Sequence, residues 1–329
     1  MTEPLWRSSA RTLDSLSLSL WTRLHKISIM KHTTATLACV ITCSIFLSSV
    51  QGAISWNKLF GPAAGEGAKR CSCSCGMPNR RMRVVGGNNA EFNEYPWMVA
   101  LLYKGHFYCG GTLISDRYVL TAAHCIEGVR VNNLKIMVGD HIRSFPIETN
   151  SKEYQAVYSV YHHHFNRSNF NNDIGLVKLG QKVDYKWYSR PACLPLPDTD
   201  YVGEMGVVTG WGRESEKGDP TDTLREILVP IFSNPVCQNL RYKPYEITHN
   251  MFCAGYLNGG TDSCHGDSGG GLLWQGRDGK MDVIGVVSWG QGCARRGYPG
   301  IYTRVTNYLD WIEEHTKDSC YCGRREGRS

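Results

Sequence analysis

Asp262-Ser263-Cys264-His265-Gly266-Asp267-Ser268-Gly269-Gly270 is the most informative stretch of this 329-residue chain. A serine hydroxyl attacks an electrophile only when a neighbouring base takes its proton and the resulting oxyanion is stabilised. The glycines around Asp267 and Ser268 allow a tight turn in which backbone N–H groups converge beside the Ser268 oxygen. Asp267 has no evident solvent-facing task there and invites a cationic partner. By itself Gly-Asp-Ser-Gly describes an ordinary turn, and it takes two distant motifs to change that reading.

Upstream lies Val119-Leu-Thr-Ala-Ala-His124-Cys125, an apolar, strand-like run that ends in a histidine and a cysteine. Further on comes Asn171-Asn172-Asp173, where the aspartate opens a strand with Ile174, Leu176, Val177 and Leu179 apolar. A lone histidine is usually solvated or structural, and a lone aspartate at a strand start is usually a cap. In the order His124, Asp173, Ser268 they match a general base, its orienting carboxylate and a nucleophile. A binding module that had lost catalysis would lack one of the three, and all three are present.

With these residues in view, the chain resembles the chymotrypsin/trypsin family of serine endopeptidases from about Val84 to about Lys317. The resemblance rests on Val84-Val-Gly-Gly87, Thr121-Ala-Ala-His-Cys125, Asp173-Ile-Gly-Leu176, Gly210-Trp-Gly212, the Ser268 block, Val287-Ser-Trp-Gly290 and Pro299-Gly-Ile-Tyr302. One departure is Gly271, where the family usually has proline. The resemblance implies an all-β fold of two packed six-stranded antiparallel β-barrels with a C-terminal helix, the catalytic residues lying between the barrels. It also implies an oxyanion hole from the amides of Gly266 and Ser268. The composition agrees with the fold class, because 35 glycines and short apolar runs between Gly, Asn and Asp clusters read as all-β. The closing helix is legible unaided: Val305, Tyr308, Leu309 and Ile312 recur at i, i+3, i+4 and i+7.

The formal net charge of +6 is unevenly placed. Residues 1–83 carry 11 Lys and Arg against 3 Asp and Glu, whereas residues 84–329 carry 25 against 27. A nucleic-acid binder wants its basic stripe on the folded domain, so no nucleic-acid partner is expected. His162-His163-His164 reads as a solvated loop, since consecutive histidines do not converge on one ion by spacing alone. Asp140 with Glu148 or Glu153 departs from the spacing of the calcium loop in some relatives. No metal and no cofactor is expected.

Four segments are expected. Residues 1–29 form an N-terminal extension, or lie upstream of the true start. Residues 30–52 read as a signal peptide, with Met30-Lys-His32 as the positive region and an apolar core over 37–50. Residues 53–83 form a pro-segment with a cysteine cluster, and 84–329 the peptidase domain with a short Cys-containing tail. A core of about 14 residues is short for a membrane span, so secretion to the extracellular space is preferred. The alternative is a type II membrane anchor through 37–50. Fourteen cysteines also favour an oxidising compartment. Asn166-Arg-Ser168 is an N-glycosylation acceptor.

Family correspondence pairs Cys109 with Cys125, Cys237 with Cys253 and Cys264 with Cys293. Cys193 resembles the site that tethers a pro-segment and Cys75 its partner. Cys71, Cys73, Cys320 and Cys322 remain, paired in an order that the sequence leaves open. Gly206 and Trp274 occupy both positions of a further family bridge, so the two halves are lost together.

The resemblance also assigns specificity. Asp262, six residues before Ser268, matches the floor of the primary pocket, with Ser263 beside it and Ser288, Gly290 and Gly300 among the substrate-binding positions. A carboxylate there favours Arg or Lys at the cleaved bond. Arg80-Arg-Met-Arg83 followed by Val84 resembles an activation site, after whose cleavage the Val84 ammonium would pair with Asp267. The implied function is a secreted zymogen of a trypsin-like serine endopeptidase acting through an acyl-enzyme. Its implied partners are protein substrates, an activating trypsin-like protease and a serpin or Kunitz-type inhibitor.

Overall fold

The strands follow from alternation. Leu134–Val138 buries Leu134, Ile136 and Val138 and half-exposes Lys135 and Met137, the period of two that a half-buried strand requires. In the computed structural model the described residues are 69–79, 88–145, 151–213, 216–243, 245–260, 264 and 266–323. They contain fifteen strands. The first two are β1 (Lys69–Ser74) and β2 (Asn88–Asn89).

The next six are β3 (Met98–Tyr103), β4 (His106–Leu113), β5 (Tyr118–Thr121), β6 (Leu134–Val138), β7 (Lys152–Tyr161) and β8 (Gly175–Leu179). They close into an antiparallel barrel in the order β3-β4-β5-β8-β7-β6. Its interior holds Trp97, Val99, Leu101, Leu113, Leu120, Leu134, Ile136, Ile174 and Leu176, all out of contact with water. Full burial of each aliphatic side chain contributes about 1.5–3 kcal/mol.

The second set is β9 (Met205–Gly210), β10 (Arg225–Phe232), β11 (Met251–Ala254), β12 (Gly271–Gln275), β13 (Met281–Trp289) and β14 (Gly300–Arg304). These strands run β9-β10-β11-β14-β13-β12, and β12 pairs back with β9 to close the second barrel. The short β2 adds to the edge of β10. The chain is thus the two-barrel all-β protein its sequence suggests. Among the described residues, three short α-helices punctuate it: α1 (Ala123–Ile126), α2 (Asn234–Gln238) and α3 (Leu309–His315). The closing helix begins as a 3-10 turn, Val305–Tyr308, and becomes α-helical only at Leu309.

The barrels touch where β4 meets the Ser268 loop. Gly110 N–H donates to the Ser268 carbonyl at 2.8 Å, and the missing side chain at Gly110 lets the Gly270 backbone approach. Gly271, the departure from the family pattern, stands in β12 where a Cβ would press on Thr112 Oγ1 and Val283. Gly271 thus occupies a crowded strand position that Thr112 partly fills.

At the opposite end of the chain order, β1 pairs in parallel with β15 (Cys320–Gly323). Disulfides join Cys71 to Cys320 and Cys73 to Cys322 across this ribbon. Cys75 bonds to Cys193, and Gly76 is bracketed by Pro191 and Met281 through backbone hydrogen bonds of 2.8 Å each. The ribbon is moored to the first barrel: Ser319 Oγ donates to Asp116 Oδ1 at 2.9 Å, and Tyr118 and Lys178 both hold Asp318. A cross-link loses most of its entropic value when a second closes nearly the same loop. Hence Cys71→Ser with Cys320→Ser is expected to lower Tm only slightly. Replacing all four ribbon cysteines by serine is expected to lower it by roughly 5–15 °C, as about 2–4 kcal/mol is lost. Thermal unfolding followed by circular dichroism under non-reducing conditions measures both.

Candidate active site

His124 stands in α1, directly after β5. Its backbone is held by its neighbours: Ala122 and Ala123 are fully buried, and the next residue is bonded to β4 through Cys109–Cys125. Tyr108 Oη donates to the Cys125 carbonyl at 2.8 Å.

Asp173, immediately before β8, is wholly buried. One oxygen, Oδ1, accepts the His124 backbone N–H at 2.9 Å, and Oδ2 lies 2.7 Å from His124 Nδ1. Oδ2 also accepts from Ser288 Oγ at 2.5 Å, and Thr303 Oγ1 donates to the Asp173 carbonyl at 2.7 Å. A carboxylate on Nδ1 selects the tautomer protonated there and leaves Nε2 as the basic atom. The preceding residue is also held, because Asn172 Oδ1 accepts from Tyr308 Oη at 2.9 Å and from Asn250 Nδ2 at 3.1 Å.

His124 and Ser268 line one cleft of about 390 Å³ with Phe170, Cys264, Val287–Cys293 and Gly300. Ser288 is a substrate-binding position by the family resemblance. It does line the cleft, and its hydroxyl is also committed to Asp173. Gly290 and Gly300 form part of the wall, and a Cβ on Gly290 would meet only the Gly292 carbonyl, at 3.6 Å. Phe170 and Trp289 were not foreseen. Phe170 meets His124 edge-on at 5.7 Å between ring centroids and stacks near Trp289 at 6.5 Å. The sequence shows Phe170 only as an apolar residue in a polar loop, which the structure holds at φ +56°.

The Ser268 turn is tied down on both sides. Asp267 N–H donates to the Cys264 carbonyl at 3.0 Å, and Gly269 N–H to the Val287 carbonyl at 2.9 Å. Gly266 takes φ +104°, a conformation open to glycine. Asp267 is buried, its Oδ1 accepting Gly212 N–H at 2.8 Å and its Oδ2 accepting Cys264 N–H at 2.9 Å. Burial pushes this carboxyl's pKa up, and the two amides pull it back. A Cβ on Gly210 or Gly212 would collide with the Asp267 carboxylate. That is the physical content of the Gly210-Trp-Gly212 motif.

Arg83, Val84, Asp262 and Ser263 lie outside the described residues, as does Glu148. Asn166 is exposed, with its Oδ1 accepting Ser168 N–H at 2.9 Å. Of the three consecutive histidines, His163 and His164 are exposed, while His162 packs on Tyr308 and Trp311 at 5.3 and 5.6 Å. The solvated-loop reading thus holds for two of the three. Glu153, weighed as a calcium ligand, pairs with Lys135 at 2.6 Å. Two clusters among the described residues have metal-like spacing, Cys109–His124–Cys125 and Cys71–Asp116–Cys320. Each contains a disulfide, so neither offers the thiolates a soft ion requires.

The family model described as Trypsin matches residues 84–312. The chain is 37% identical over 256 residues to Serine proteinase stubble of Drosophila melanogaster, covering 74% of this chain and 32% of that protein. It is 36% identical over 257 residues to Proclotting enzyme of Tachypleus tridentatus, covering 73% of this chain and 68% of the relative. It is 39% identical over 242 residues to Suppressor of tumorigenicity 14 protein homolog of Bos taurus, covering 71% of this chain and 28% of the relative. It therefore spans less than a third of the length of two of these relatives. The chain belongs to the trypsin family of serine proteases.

Proposed function

We propose that this protein is a secreted zymogen that, once cut between Arg83 and Val84, hydrolyses peptide bonds after Arg or Lys through an acyl-enzyme on Ser268. The observation that carries the chemistry is the buried Asp173 gripping both the backbone and Nδ1 of His124 on the cleft that Ser268 lines. In this reading Ser268 attacks the carbonyl carbon while His124 Nε2 takes its proton. The amides of Gly266 and Ser268 hold the oxyanion, and His124 then returns the proton to the leaving amine. Water repeats the sequence to release the acid and regenerate Ser268.

Two observations support the specificity. Asp262 precedes Cys264, which lines the cleft, and Gly290 and Gly300 present no side chain at their places in its wall. A carboxylate at the base of that space discriminates against neutral groups by remaining unpaired.

The switch turns on Asp267, a buried carboxylate supported by two amides and no side-chain cation in the contacts described. A new Val84 ammonium supplies that cation and orders the oxyanion turn next to it. Cys75–Cys193 and the β1–β15 ribbon keep residues 53–83 bound after the cut. Arg83→Gln is expected to give a secreted, folded protein with turnover at least about a hundredfold below that of the cleaved wild type. Comparing uncleaved variant and activated wild type on one peptide substrate checks this. Equal rates would exclude the buried-amine switch.

Secretion rests on the signal-like stretch 30–52 and the disulfides. No helix among the described residues is long and apolar enough to cross a membrane. Glycan on exposed Asn166, an activating trypsin-like protease and a serpin or Kunitz-type inhibitor complete the reading.

A further inference from the structure

After β13 the chain from Gly290 to Cys293 forms one wall of the cleft. That wall is held from behind. Cys293 N–H donates to Glu216 Oε1 at 3.0 Å. The Arg295 guanidinium grips the same carboxylate, Nε on Oε1 at 2.5 Å and Nη2 on Oε2 at 2.8 Å. Gly292 lies between them at φ +76°, and a Cβ there would strike both the carboxylate and the guanidinium. Ala294 is left-handed at φ +53° despite its side chain. Such a backbone persists only where its surroundings hold it.

These contacts close a circuit. Cys293 is bonded to Cys264, whose N–H reaches Asp267 Oδ2. The other oxygen of Asp267 receives Gly212 N–H, and Glu216 follows four residues later in the chain. We propose that Glu216 is a positioning residue for substrate, closing the ring Gly212–Asp267–Cys264–Cys293–Glu216 and so fixing the Gly290–Cys293 wall against which the substrate's cleavage-site side chain lies. This rests on the assignment of that cleft as the primary pocket.

An ion pair half open to water contributes little as a rule, and these side chains are 34% and 56% exposed. Here, however, three donors converge on one carboxylate, two of them from a planar guanidinium. The effect is on geometry, where a shift of about 1 Å in a binding wall costs up to a hundredfold. Asp173 has its own supports in Ser288 and Thr303, and the Ser268 carbonyl has one in Gly110, none of which involves Glu216. The loss should therefore fall on KM and spare the acylation chemistry.

The test uses the activated full-length protein with a chromogenic peptide ending in arginine and, separately, phosphonylation of Ser268 by an uncharged diphenyl alkylphosphonate. Glu216→Ala is expected to raise KM about tenfold with kcat and phosphonylation rate within about twofold of wild type. Glu216→Gln keeps an acceptor for Cys293 N–H and should recover most of the loss, while Arg295→Ala should fall between. An unchanged KM in Glu216→Ala would overturn the proposal. So would parallel falls in kcat and phosphonylation, which would place Glu216 in the support of the nucleophile or of folding. A wild type with no preference for Arg or Lys would instead remove the pocket assignment.

Discussion

Ser268→Ala is expected to reduce kcat of the activated protein by about a millionfold, leaving only the residual acceleration that binding and the oxyanion hole provide. The alanine keeps the turn, because the contacts that shape it are made by backbone: Gly110 N–H on the Ser268 carbonyl and Gly269 N–H on the Val287 carbonyl. Folding and Tm should thus be nearly unchanged, so the loss reports chemistry. His124→Ala should be about as damaging, and the double variant hardly worse than either, since a nucleophile without its base gains nothing from being present. Asp173→Asn should cost less, about ten-thousandfold, by offering His124 Nδ1 an amide that favours the wrong tautomer. Burst titration and steady-state kinetics on one peptide substrate measure all four proteins. Losses that add independently would place the base elsewhere than His124.

Much of this was legible before the fold because the residues concerned are local in sequence. Gly210-Trp-Gly212 and the Ser268 block are fixed by close backbone approach, which leaves glycine as a visible mark. The closing helix was legible because Val305, Tyr308 and Ile312 are buried at helical spacing, although nothing in that spacing distinguishes a first turn of 3-10 form. What escaped was long-range. The order of the ribbon bridges, Cys71 to Cys320 and Cys73 to Cys322, joins cysteines separated by 249 positions in the sequence. Phe170 and Trp289 meet across the cleft from opposite barrels. Glu216 finds Cys293 and Arg295 some 77 and 79 residues away. Ser288 was read as a pocket residue because its motif borders the pocket, while its bond to Asp173 spans 115 residues. Pairings of this kind are dictated by packing of the whole chain and leave no period or spacing to read.

Under the proposed specificity, selectivity turns on one charge: Asp262 meets a guanidinium or ammonium of the substrate in the cleft lined by Val287–Cys293 and Gly300. Truncating one member of a desolvated, hydrogen-bonded charge pair costs about 2–5 kcal/mol, or roughly thirty- to several-thousandfold in kcat/KM. Asp262→Ser is therefore expected to lose that factor on peptides cleaved after Arg or Lys. The free enzyme should tolerate the change, because a lone carboxylate in a narrow cleft is itself costly before substrate arrives. Ser268 in this variant should still react with a small uncharged phosphonylating reagent at the wild-type rate, since that reaction uses His124, Asp173 and the Gly266–Ser268 turn but not the pocket floor. Loss of basic-residue cleavage with intact labelling locates the defect in the pocket. Retention of the Arg and Lys preference would move the specificity determinant away from Asp262, and a matching fall in labelling would mean that the substitution had disturbed the turn that carries Asp267 and Ser268.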